Sequence, residues 1–163
     1  MELLKWLTST NLGEMFFTML VSMVPVIELR GGVPFGTALG LPAGQALVAA
    51  IVGNMIPIPF IIVYIRRIFL WMRRKSKKLN ALVDKLEKKA HLKGQKVSKY
   101  KYIGLWLFVA IPLPGTGAWT GALAAAFLDM PLRKALPSIF LGVVTAGLIM
   151  TFATGLVVAT VGN

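Results

Sequence analysis

The sequence predicts an all-α membrane protein with an inverted-topology repeat. Each half is a re-entrant helical hairpin followed by one transmembrane helix, and a basic amphipathic cytoplasmic helix joins the halves. Three observations carry this expectation. The 163 residues are 56% hydrophobic with a mean hydropathy of +0.74, more apolar surface than a soluble domain of that size carries. The net charge of +12 is confined to one segment. The two ends of the chain repeat one another.

The predicted organisation is a single membrane domain over 1–163. Repeat one spans 12–70, with a hairpin at 14–41 and a crossing helix at 44–66. A basic segment occupies 66–101. Repeat two spans 102–162, with a hairpin at 102–129 and a crossing helix at 134–161. Of the apolar stretches, Gln45 to Ile65 and Ala135 to Val161 are long enough to cross, since a crossing needs about 20 residues at 1.5 Å rise each. Tyr102 to Ile111 reaches only about 15 Å as a helix, half of a ~30 Å hydrocarbon core.

The run Pro112-Leu113-Pro114-Gly115-Thr116-Gly117 comes directly after it, and no continuous helix tolerates those residues. Ala118 to Leu128 then returns. A hairpin that re-enters on its own side fits both lengths, and irregular backbone at that depth requires cover by protein or a wet cavity. The first half has the same plan. Adding 89 to the numbering places Pro25 on Pro114, Gly32 on Gly121, Leu39 on Leu128, Pro42 on Pro131, Ala46 on Ala135, Leu47 on Leu136 and Gly53 on Gly142. Several of these identities are helix breakers, so they read as a structural repeat.

Between Arg66 and Lys101 lie fourteen basic side chains and two acids, Asp84 and Glu87. That segment holds the whole net charge, because outside it four bases and four acids cancel. Arg66, Arg67, Arg73, Arg74 and Lys75 abut the first crossing helix, so the positive-inside rule makes that end cytoplasmic and puts both termini outside a cell (inner) membrane. Ser76 to Ala90 reads as an amphipathic helix with Leu79, Leu82, Val83, Leu86 and Ala90 on one stripe and lysines opposite. It is expected to lie on the inner leaflet against anionic lipid headgroups. Nucleic acid is not an expected partner, because aromatic interleaving is absent apart from Tyr100 and Tyr102. His91 beside this helix is expected to be solvated. The N-terminal MELLKWLTSTNLGEMFF has no basic n-region or small-residue cleavage site, so it reads as retained. With no cysteine and one histidine, no cofactor or metal is expected.

Candidate functional residues emerge from charge placed where charge is costly. Glu28 and Arg30 stand in the apolar run Val26-Ile27-Glu28-Leu29-Arg30-Gly31-Gly32-Val33-Pro34, and a charge at the centre of a spanning helix costs about 2.5–3.5 kcal/mol on insertion scales. One reading is structural, with the pair holding the turn. The other is a substrate-binding or coupling site. Pro34 suits the first turn of a returning half-helix, and Thr116 with Gly117 suits the cap of the helix that begins near Ala118. Two helix N-termini would then point at the membrane centre, a geometry that binds anions. Arg30 adds a planar fork suited to phosphate, and Glu28 is a candidate proton-coupling group. The set is Glu28, Arg30, Gly31, Gly32, Pro34, Asn54, Pro114, Gly115, Thr116, Gly117 and Trp119. Asn54, near Pro57 and Pro59, marks a polar, kinkable point whose bland reading is a helix–helix hydrogen bond. Gly36-xxx-Gly40 and Gly117-xxx-Gly121 match the small-residue packing motif, between arms or across a homodimer. No nucleotide loop, catalytic triad or paired carboxylate occurs, so an enzyme is not expected.

The runs Glu28-Leu29-Arg30-Gly31-Gly32-Val33-Pro34 and Pro112-Leu113-Pro114-Gly115-Thr116-Gly117-Ala118-Trp119-Thr120-Gly121 resemble the two signatures of the small multidrug export family over nearly the whole chain. That family in turn looks related to the DedA/VTT superfamily, whose members carry two opposed re-entrant hairpins, a functional acid and arginines, and in some cases translocate undecaprenyl phosphate. The resemblance implies a transporter or lipid flippase, and with Glu28, Arg30 and the helix N-termini the leading reading is proton- or ion-coupled translocation of an anionic lipid or other amphiphilic anion. The runner-up is export of cationic compounds through the membrane-buried Glu28, against which Arg30 two residues away argues because it would repel the same substrate, and a non-transporting scaffold is the third reading. The second hairpin departs from the DedA pattern in lacking an arginine near Pro114.

Overall fold

The computed structural model describes residues 10–94, 100–113 and 115–161, and every element among them is helical. The chain before Thr10 and Pro114 lie outside the described residues, as does the side chain of His91.

Helix α1 (Asn11–Met23) starts on Thr10, whose Oγ1 accepts from the Gly13 N–H at 3.1 Å. It ends because Pro25 forces the residue before it out of the helical region, and Val24 is extended at φ −72°, ψ 128°. Helix α2 (Glu28–Leu39) returns and stops at Gly40, which takes a left-handed φ of 111°. There the Leu41 N–H donates to Gly36 O at 3.1 Å, a Schellman closure. After Pro42 the chain climbs through α3 (Ala43–Met55), bends at Ile56, and continues as α4 (Pro57–Lys75). Ser76 breaks the line, and α5 (Lys77–Gly94) comes next.

Helix α6 (Lys101–Ala110) ends before Pro112 with Ile111 extended, for the same reason that α1 ends before Pro25. Helix α7 (Ala118–Phe127) returns to a second Schellman closure, where the Met130 N–H donates to Ala125 O at 3.0 Å and Asp129 sits at φ 52°. These positions are 89 residues beyond Leu41, Gly36 and Gly40. Helix α8 (Leu132–Val161) completes the fold.

Two helices are long and apolar enough to cross a membrane, Ala43–Ile65 with 23 residues and Leu132–Thr160 with 29. Both carry large apolar side chains facing outward, among them Val48, Phe60, Leu148, Phe152 and Leu156. Water does not tolerate so continuous an apolar surface, and lipid does.

The first pair of short helices packs on α3, while in the second pair α6 packs on α8 and α7 lies chiefly against α4 of the first half. Glycines allow the approach: a Cβ on Gly32 would meet Ser22 Oγ and, at 3.4 Å, Ala50, while one on Gly121 would meet Val109 at 2.6 Å and Ile139 at 3.8 Å. Ala50 and Ile139 are again 89 apart. Gly53 lies against the backbone of Met19, and its counterpart Gly142 lies 2.9 Å from Trp106 O by the same measure. Gly53→Ala is therefore expected to force α1 from α3 and to cost about 1–3 kcal/mol of stability, read by thermal unfolding in detergent.

Three expectations need correction. Pro34 is not at the start of the returning helix but inside α2, six residues past Glu28. The turn is made earlier, at Pro25, so Gly31 and Gly32 are helix interior too. The helix around the first crossing segment runs to Lys75, so the first part of the basic segment is a rigid extension of it. The apolar stripe of α5 is not wholly free for lipid: the helix folds back on α4 and α7, with Val83 0% exposed. Arg73 Nη1 ties it down by donating to Asp84 Oδ1 at 2.7 Å and Asn80 Oδ1 at 2.8 Å. Leu82, Leu86 and Ala90 have side chains outside the described residues.

Candidate functional site

The tips of the two hairpins meet end to end, and Glu28 and Arg30 make the joint. The first tip, Val24 to Ile27, is held in an unusual shape: Val26 has φ 81° and Glu28 φ 47°. A β-branched residue in that region is a genuine outlier, of a kind that clusters at functional sites. Val26 consequently projects outward, 96% exposed. The turn puts Glu28 at the first position of α2 with its side chain directed across the joint.

Glu28 is 6% exposed. Its Oε2 accepts from the Ala118 N–H at 3.2 Å and its Oε1 from the Trp119 N–H at 3.1 Å. Those are unpaired donors at the first turn of α7, so the carboxylate of one half caps a helix of the other. Charge and helix dipole reinforce the two bonds. The N-cap position of α7 is Gly117, with no side-chain cap of its own. A Cβ there would collide with the Glu28 carboxylate, and φ is 143°. Gly117 is also the residue 89 beyond Glu28, so the joint sets an acid in one half against a glycine at the same place in the other. Gly117→Ala is expected to displace the carboxylate and lower the unfolding temperature, with a cost of about 1–3 kcal/mol.

Arg30 works in the opposite direction. Its Nη1 donates to Leu113 O, and its Nη2 to Ile111 O at 3.2 Å and Thr116 Oγ1 at 2.8 Å. The guanidinium fork thus gathers the carbonyls that end α6, where the prolines leave no helix to bond them. Thr116 does not cap α7 as expected. It lies in the tip, its hydroxyl 2.9 Å from Ile111 O and 2.8 Å from Leu113 O. Gly115, at φ 78°, permits the turn. Glu28 and Arg30 each engage the opposite tip, and among the described residues no ion pair within 4.0 Å joins them to each other.

A cavity of about 640 Å³ opens beside the joint, lined by Val26, Glu28, Arg30, Leu113, Thr116 and Trp119 among others. Its walls are mostly apolar with polar groups at one place, the pattern of a small-molecule site. Asn54 stands on the other side of Glu28 and Arg30, 2% exposed. The helix–helix hydrogen bond expected of it is absent, for its Oδ1 has no partner among the described residues, nor does Trp119 Nε1. Glu28, Arg30, Asn54, Gly115, Thr116, Gly117 and Trp119 are therefore brought together. Gly31, Gly32 and Pro34 are not: a Cβ on Gly31 would meet Ile27, and Gly32 serves the packing of α2. The residues that sequence reasoning missed are Ala118, which offers only its N–H, and Val26 with Pro25, which shape the tip. The proline was the available signal for the latter.

No curated protein and no solved structure matches this chain. A family described as "Putative small multi-drug export protein" matches residues 28–149. The match begins at Glu28 and takes in Arg30, Asn54 and the whole of the second tip. Together with the two apolar helices it makes this a membrane protein, and the chain belongs to that export family.

Proposed function

We propose that the protein is a membrane transporter, not an enzyme, that passes an amphiphilic anion such as a polyprenyl-phosphate-like lipid through the cavity between the hairpin tips. The observation that carries this reading is the carboxylate of Glu28 on the N-terminus of α7. The Glu28 carboxylate already occupies a place that suits an anion, and a substrate headgroup would compete with it there. The Arg30 fork lies beside that place, and the apolar walls at Val26, Leu113 and Trp119 suit an acyl or prenyl chain.

In this reading each hairpin is re-entrant, one from each membrane face, and the halves form an inverted repeat. The matched Schellman closures and glycine contacts at a spacing of 89 support that arrangement. The basic segment 66–101 is cytoplasmic against anionic headgroups, and both termini are outside. Glu28 is the coupling group if a proton drives transport, because a substrate that displaces its carboxylate from α7 leaves it free to take one up. A relationship to the DedA/VTT superfamily and a homodimeric assembly belong to the same proposal. Cysteine labelling at Gly115 in intact cells is expected to show no reaction with a membrane-impermeant reagent from outside; ready outside labelling would end the inverted arrangement.

A second reading, export of cationic drugs, draws on the family description and on the Glu28 carboxylate and Trp119 ring sharing one cavity wall. Arg30 in the same wall repels a cation. Two assays separate the readings: flipping of polyprenyl phosphate in liposomes, and drug resistance in a pump-deleted host. Flipping without resistance is expected. Resistance without flipping would replace the anion by a cation, and neither activity would leave a scaffold.

A further inference from the structure

Asn54 lies two residues before the bend that joins α3 to α4. It is 2% exposed, and its Oδ1 has no hydrogen-bond partner among the described residues. An acceptor buried unpaired costs about 1–3 kcal/mol, and such groups in folded proteins are normally matched by protein or by ordered water. With Glu28, Arg30, Gly117 and Ala118, Asn54 lines a cavity of about 10 Å³, distinct from the large one. That is the space one water molecule needs.

We propose that this cavity is a binding site for a single water, which donates one hydrogen bond to Asn54 Oδ1 and the other to the Glu28 carboxylate. The acceptors that line the space suit such a guest. Each oxygen of Glu28 accepts one backbone N–H and keeps lone-pair capacity for another. Asn54 adds a further acceptor. Two acceptors lining a one-molecule space are served by a species with two donors, and water is that species. A metal cation fits less well. The Arg30 guanidinium lines the same space and repels it, and two oxygen-bearing side chains fall short of the six or so oxygens a hard divalent cation takes.

The water ties three elements together at the centre of the fold: the start of α2, the N-terminus of α7 and the bend after α3. It also gives Glu28 a proton-exchange partner that does not require release of the Ala118 and Trp119 N–H groups. The site stands whatever substrate is carried, so it and the transport reading can fail separately.

The test is a structure of the full chain in lipid nanodiscs, at a resolution that shows single waters, in potassium and in sodium buffer. One peak within hydrogen-bond distance of Asn54 Oδ1 and the Glu28 carboxylate is expected in both buffers. It should vanish in Asn54→Leu, whose side chain has the same branching but offers no acceptor. An empty cavity in the natural chain overturns the proposal. So does a peak seen only in sodium, or a melting temperature that climbs with sodium concentration as mass action requires of a bound cation. The natural chain alone decides between these outcomes should the variant not fold.

Discussion

Glu28→Ala is expected to be the most damaging single change at the joint, lowering stability by about 2–6 kcal/mol and abolishing transport. The size reflects the groups that the lost side chain leaves behind. Two N–H groups of α7, at Ala118 and Trp119, lose their acceptor in a buried place, and each stranded donor costs about 1–3 kcal/mol. Gly117 has no side chain to replace the cap, and Thr116 is turned toward the tip carbonyls. Glu28→Gln separates the two roles. It keeps an acceptor oxygen, so unfolding in detergent should report a smaller loss than for alanine, but it cannot carry a negative charge or exchange a proton. Loss of transport in a well-folded Gln variant is expected, read by the liposome assay. Full transport by that variant would show that the carboxylate serves structure alone.

Arg30→Ala is expected to uncouple the tips, with a loss of transport at least as complete as in Glu28→Gln. Three bonds from one guanidinium hold Ile111 O, Leu113 O and Thr116 Oγ1. Bonds to charged groups are worth about 1.5–3 kcal/mol each when well buried, and less here because this side chain is only partly covered. Arg30→Lys is the informative companion. A lysine keeps the charge but not the planar fork, so it should recover part of the stability and little of the transport. Thermal unfolding in detergent, expected at a lower temperature in the alanine variant, gives a readout independent of substrate. A Lys variant that transports normally would mean that charge, not geometry, is what the joint uses.

Much of this was legible in the chain itself, for reasons of covalent chemistry. Pro112 interrupts the chain between α6 and α7, so the second hairpin turn could be read from its position, whereas Pro25, which turns the first hairpin, was passed over. The crossing helices announce themselves by length and hydropathy, as Ala43–Ile65 and Leu132–Thr160 do. Glu28 and Arg30 stood out because charge in an apolar run is expensive. Sequence reasoning erred where two signals competed. Gly31 and Gly32 were expected at the site and Pro34 in the first turn of the returning helix, yet all three lie inside α2, because Pro25 had already turned the chain and glycine in a packed helix serves close approach equally well. Thr116 looked like a cap, and a residue 88 positions earlier took that role.

Local chemistry along the chain specifies the elements: helices, most of the breaks between them, an apolar exterior, one basic segment and one acid–base pair in the wrong solvent. It could do so because propensity, periodicity and the cost of charge in hydrocarbon act over a few residues at a time. How the pair is used follows from the packing of distant segments. Whether Glu28 meets Arg30 or the N–H groups of Ala118 and Trp119 depends on which backbone ends arrive within about 3 Å of its carboxylate. That is set by the packing of one half against the other, across some ninety residues of chain, and no local pattern encodes it.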